Sequence, residues 1–152
     1  MRTLEGSRRG EGRRFCVIAA RFNRLVTERL LEAALETLRD AGVDEDGLDV
    51  VRVPGAWELP WAARRAADGY DAVVALGCVV RGETDHFDYI CEAATRGLGE
   101  LAASGAVPVG LGVLTCDTME QAMERAGGEH GNKGADAAEA ALELADLADR
   151  LP

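Results

Sequence analysis

Four short apolar runs punctuate the chain: Phe15–Ala20 (FCVIAA), Leu48–Val53 (LDVVRV), Ala72–Val80 (AVVALGCVV) and 107–114 (VPVGLGVL). Each has the length of a strand. Runs that are apolar almost throughout, as the first and third are, fit strands buried on both faces. Stretches of helical periodicity separate and follow them. Leu30, Leu31, Ala34, Leu35 and Leu38 share one face of a helix that stops at Ala41-Gly42, with glycine at the C-cap. Trp57, Trp61, Arg64 and Arg65 belong to a second helix, 87–103 to a third, and 118–126 and 134–151 to a fourth and fifth. Strand alternating with helix predicts an α/β fold of three layers, α/β/α, with a four-stranded parallel sheet and helices on both of its faces. No internal repeat or low-complexity segment interrupts the pattern, and 152 residues suit a single domain spanning 1–152.

Every cluster of chemical interest follows a strand. Arg21-Phe22-Asn23 comes after the first, Pro54 to Glu58 after the second, Arg81 to His86 after the third, and Thr115-Cys116-Asp117 after the fourth. In open α/β sheets ligands bind outside the carboxyl ends of the strands, so the four segments converge on the edge where a site is expected.

Composition narrows the function. The net charge of −10 argues against a general nucleic-acid binder, which needs a basic face. The charge is uneven, however. Residues 1–24 hold seven Arg against two Glu, a net of +5, so the remainder carries −15. The basic start reads either as a solvated tail or as a docking strand. No apolar run approaches 18 residues, which speaks against a membrane span, and no apolar leader precedes the first strand; the expected compartment is the cytoplasm. Cys16, Cys78, Cys91 and Cys116 show no C-x-x-C spacing, so neither a zinc ribbon nor a redox dithiol is signalled, and Cys16 and Cys78 read as buried thiols. No metal site and no cofactor is expected.

The segment RGETDHFDY at 81–89 carries one of only two histidines. Gly82 lets the backbone turn tightly, Thr84 or Asp85 suits an N-cap, and amides at a helix start form an anion site. His86 falls in the first helical turn, where it reads either as a capping group or as a general acid–base, a role that histidine as a residue type suits near neutral pH. No G-x-S-x-G, H-E-x-x-H or P-loop accompanies it, so if the chain is an enzyme the nucleophile would come with the substrate. Phe22 is a loop plug or a stacking platform. Trp57 and Trp61, four apart, read as core. Glu58 reads as a capping acid or a hydroxyl acceptor for a polyol. Arg96 and Arg125 are candidate phosphate partners. Lys133 is the only lysine, in the glycine-rich stretch 127–134 that breaks one helix and starts the next.

Together these motifs resemble the lumazine synthase family of riboflavin biosynthesis. The matching blocks are ARFN at 20–23, PGAWELP at 54–60, ALGCVVRGETDHFDY at 75–89, PVGLGVLT at 108–115, DTMEQAMERAG at 117–127 and GNKG at 131–134, in order and with family-like spacing. The resemblance implies a flavodoxin-like fold and a condensation of a ribitylaminouracil with 3,4-dihydroxy-2-butanone 4-phosphate, in which the substrate amine is the nucleophile. It implies His86 as the acid–base group and Phe22 as the stacking face. Ala56, Trp57 and Glu58 would hold the ring edge and ribityl chain, and Cys78, Val79 and Val80 would line the ring. Glu83 and Thr84 would offer amides to phosphate with Arg125, and Lys133 would stand near the substrates. Leu111 stands where the family usually has an aromatic reaching in from a neighbouring subunit, which removes a π-face. Glu129 stands where relatives often carry lysine. The resemblance further implies a homopentamer with sites between adjacent subunits, docking of 1–14 on a neighbour, an icosahedral shell, and riboflavin synthase as a candidate partner. A catalytically weak lumazine- or flavin-binding cage, and a flavodoxin-like nucleotide-binding module, are the competing readings.

Overall fold

The computed structural model describes residues 1–152. Four parallel strands form the sheet: β1 (Phe15–Ala20), β2 (Leu48–Val53), β3 (Ala72–Val80) and β4 (Val109–Cys116), in the order β2-β1-β3-β4. The helices are α1 (Arg24–Asp40), α2 (Leu59–Ala66), α3 (His86–Ala103), α4 (Met119–Glu124) and α5 (Lys133–Arg150). Alternating residues of β1 split between two cores. Phe15, Val17 and Ala19 pack with Leu30, Leu38, Ala138 and Leu142 of α1 and α5. Cys16, Ile18 and Ala20 pack with Leu59, Ala63, Ala94 and Leu98 of α2 and α3. A central parallel strand covered on both faces must be apolar at every position, and β1 is fully buried along its length.

The chain leaves β1 for β2 on one side and returns to β3 on the other. The sheet therefore has its topological switch point between β1 and β3, where a crevice opens outside their carboxyl ends. The strand order, the parallel register and the two helical layers agree with the fold class expected from the sequence. No helix is long and apolar enough to cross a membrane.

Three local features differ from the sequence pattern. The stretch after α4 is not a plain hinge but a two-stranded antiparallel hairpin, β5 (Ala126–Gly128) with β6 (Gly131–Asn132). Gly127 and Gly131 take φ of 104° and 73°, conformations that favour glycine, so α4 stops early and the chain turns back. Asn132 then caps α5, its Oδ1 accepting from the N–H groups of Gly134 and Ala135 at 2.8 and 3.3 Å. Gly134 is required there by packing, since a Cβ would lie 2.0 Å from the Leu30 carbonyl oxygen. Second, Trp57 and Trp61 are not core: they are 61% and 68% exposed. A 3-10 turn (Ala56–Glu58) precedes α2, and it is Leu59, Ala62 and Ala63 that α2 turns toward the sheet. Third, the segment before β1 lies along its own chain from about residue 6. Ser7 N–H donates to Asp146 Oδ2 at 2.9 Å, Arg8 pairs with Glu139 and Glu143, Arg13 pairs with Asp149 at 3.0 Å, and Gly10 N–H donates to the Ala41 carbonyl at 2.8 Å. Two of the five arginines before β1, Arg8 and Arg13, thus pair with the acidic face of α5, while Arg14 pairs with Asp49 of β2.

Candidate active site

A cleft of about 750 Å³ opens at the switch point. Its walls come from the segments after β1, β2 and β3 and from the first turns of α3. Phe22 enters from the first of these and is 72% exposed. Its backbone is fixed: Arg21 N–H donates to the Val53 carbonyl at 2.8 Å and Phe22 N–H to the Pro54 carbonyl at 3.0 Å. Asn23 next to it is the only non-glycine residue at positive φ, 58°. Its Nδ2 donates to the Cys78 carbonyl at 2.8 Å, tying the exit of β1 to β3. The left-handed conformation is one that asparagine tolerates better than most side chains.

Ala56, Trp57 and Glu58 follow β2 and line the same cleft. Glu58 Oε2 accepts from the Gly55 N–H at 2.9 Å, so one carboxylate oxygen caps the turn, and the other is open to a hydroxyl donor. Cys78, Val79 and Val80 form the floor as β3 emerges from the core. Gly82, Thr84, His86 and Tyr89 close the third side, while Glu83 is exposed outside the lining. His86 opens α3, its N–H meeting Thr84 Oγ1 at 3.4 Å; Asp85 is the N-cap residue but makes no side-chain capping bond.

The thiols are poor nucleophiles. Burial pushes Cys78 up to about 12 and Cys16 up to about 11, and burial also raises Cys91 and Cys116. A thiol so placed stays protonated at neutral pH. The cleft therefore offers aromatic faces, backbone polar groups, one carboxylate and one imidazole. That set can stack a planar ring, bind hydroxyls and move protons.

Leu111, Arg125 and Lys133 are not in this cleft. They share a second recess of about 230 Å³ with Gly112 to Cys116, along β4, the strand that ends the sheet. Leu111 is 52% exposed there. Arg125 Nη1 donates to the Gln121 carbonyl at 3.0 Å, and Lys133 Nζ pairs with Asp136 at 3.2 Å. Arg96 lies in neither recess; it sits on the exposed side of α3, paired with Glu92. The candidate residues thus fall into two groups: an uncharged-to-acidic cleft with His86, and a cationic recess without it. The family resemblance had set Leu111 apart as a neighbour's contribution, but sequence reasoning did not place Arg125 and Lys133 with it. It also passed over Tyr89, which sits three residues from His86 and so on the same face of α3, a spacing visible in the sequence.

A family model described as 6,7-dimethyl-8-ribityllumazine synthase matches residues 12–149. Curated relatives carry the same description. That of Gemmatimonas aurantiaca is 57% identical over 152 residues, covering 99% of this chain and 93% of the relative. That of Salinibacter ruber is 52% identical over 150 residues, covering 97% and 96%. That of Halorhodospira halophila is 51% identical over 140 residues, covering 91% and 90%. A match that runs through both recesses and almost the whole chain places this protein in the 6,7-dimethyl-8-ribityllumazine synthase family.

Proposed function

We propose that the chain condenses 5-amino-6-(D-ribitylamino)uracil with 3,4-dihydroxy-2-butanone 4-phosphate to 6,7-dimethyl-8-ribityllumazine, releasing phosphate and water, the penultimate step of riboflavin biosynthesis. The observation that carries the chemistry is a switch-point cleft with an aromatic wall, one imidazole and no ionised thiol. With no protein nucleophile, the substrate's amine attacks the ketone. The imine forms, phosphate leaves and the ring closes, each with proton movement that His86 serves as acid and base. Much of the remaining acceleration is proximity, since two bound substrates react in an effectively unimolecular step.

Phe22 stacks on the pyrimidine. Ala56, Trp57 and Glu58 hold the ring edge and the ribityl chain, and Cys78, Val79 and Val80 line the ring. The backbone of Glu83 and Thr84 receives the phosphate. The phosphate also needs a cation, and Arg125 and Lys133 stand in the other recess of the same chain. A second copy must therefore bring its β4 edge, with Leu111, Arg125 and Lys133, to the cleft of the first. Head-to-tail contacts close into a ring where the rotation between copies allows it, and the family resemblance makes that ring a homopentamer. The short β5–β6 hairpin, free of insertion, is compatible with twelve pentamers closing into an icosahedral shell. Residues 1–152 act as one domain, with the projecting start reaching a neighbour. Four free thiols suit a reducing compartment, the cytoplasm. Riboflavin synthase, which consumes the product, is the proposed partner.

The test is direct. The purified protein is mixed with both substrates, lumazine fluorescence is followed, and mass is read by light scattering. No product from an assembled oligomer would overturn the assignment, and a yellow, turnover-free protein would favour a flavin-binding cage instead.

A further inference from the structure

The imidazole of His86 takes part in no hydrogen bond or ion pair within the chain, so its position follows the turn that carries it. That turn is weakly held from within. Residues 81–85 have no regular structure, Asp85 caps α3 without a side-chain bond, and the Thr84–His86 contact is long at 3.4 Å. The Arg81 N–H donates to the Cys116 carbonyl at 2.9 Å and Phe87 is buried, but one polar side chain joins both ends of the turn to the end of β4. Arg81 Nε donates to Asp117 Oδ1 at 2.8 Å, its Nη2 lies 3.4 Å from Asp88 Oδ1, and its guanidinium stacks over the Phe87 ring, 4.4 Å from the centroid. Phe87 and Asp88 are the two residues that follow His86. Asp117 is anchored in turn, its N–H donating to Gln121 Oε1 at 2.9 Å within the capping box of α4.

We infer that Arg81 is a positioning residue for the reaction: by bridging the end of β4 to the first turn of α3, it fixes where His86 meets the substrates. This rests on the acid–base role of His86 given above. The chemistry suits arginine. A rigid planar fork reaches two carboxylates and stacks on an aromatic at once, which a lysine point charge does not. Exposed ion pairs contribute little to stability, so the fold tolerates the loss of this one. Geometry is more sensitive: displacement of a reacting group by about 1 Å costs on the order of a hundredfold in rate.

A double-mutant cycle tests it. R81Q, H86A and the double variant are assayed with both substrates, with thermal unfolding measured alongside. R81Q is expected to lower kcat by about ten- to a hundredfold, with KM for the aminouracil little changed, because Phe22 and Glu58 are untouched. In the H86A background the same substitution should cost less than about twofold, since there is no imidazole left to misplace. D117A, which keeps the arginine and removes its anchor, should show the same pattern at smaller size. An equal loss in both backgrounds means that Arg81 acts independently of His86 and overturns the inference, as does full kcat in R81Q or in D117A. If the unaltered protein formed no lumazine, the assigned reaction would fall, and this inference with it; if it turns over and R81Q does so equally well, only the inference falls.

Discussion

Two inactive variants of this protein should repair each other. The cleft with His86 and the recess with Arg125 lie apart on one chain. If one chain's cleft is completed by the next chain's recess, each subunit of a ring serves two different sites. His86→Ala removes the proposed acid–base group, whose help is worth about 10²–10⁴-fold in rate. Arg125→Ala removes a charge-assisted bond to phosphate, worth about 1.5–3 kcal/mol or roughly ten- to a hundredfold. Refolded together in equal amounts, the variants assort at random around the ring. A site is whole when its cleft comes from the Arg125→Ala chain and its recess from the His86→Ala chain, which is about one site in four for a head-to-tail contact. The mixture should recover about a quarter of wild-type turnover, well above the average of the two variants alone. Lumazine fluorescence reads the rate, and light scattering confirms that mixed oligomers have formed. Turnover no greater than that average, in a mixed ring of correct mass, would show that both groups serve the same site from one chain, and the division of the site between copies would be wrong.

Arg125→Lys should weaken binding of the butanone phosphate while sparing the aminouracil, because a planar fork becomes a point charge; equal weakening of both substrates in a titration would point to a damaged fold or interface instead. Leu111→Phe restores an aromatic face at an exposed edge-strand position. At about 0.5–1.5 kcal/mol for an aromatic pair it should tighten lumazine binding roughly two- to tenfold in the assembled oligomer, and unchanged affinity in an intact oligomer would mean that Leu111 does not face the ligand. Asn23→Ala keeps the left-handed backbone, about 1–2 kcal/mol less favourable for alanine, and deletes the bond to the Cys78 carbonyl, about 1 kcal/mol. Urea unfolding should show a larger loss for Asn23→Ala than for Asn23→Gly, which loses only the bond; equal losses would mean the conformation carries no strain.

The layered architecture was legible in the sequence because burial leaves a periodic mark. A strand covered on both faces cannot carry polar side chains, so FCVIAA and AVVALGCVV announce themselves, and helices with one apolar face fill the intervals. The capping box at Thr118 and Gln121 was legible too, since it involves residues within one turn. The blocks around Phe22, Glu58 and His86 were visible at strand ends, where a parallel sheet gathers ligands. Other features depend on which distant segments meet, and local pattern does not encode that. Trp57 and Trp61 have core spacing, yet the 3-10 turn before α2 rotates Leu59 and Ala63 inward in their place. Arg81 reads as one more surface arginine until β3 pairs with β4 and brings Asp117 beside it. Arg125 and Lys133 belong with Leu111, apart from His86, only because β4 closes the sheet with one side free. Strand order is settled by the summed packing of both cores, a long-range property, so the sequence determined which residues are candidates and the tertiary structure alone decided that they line two separate recesses.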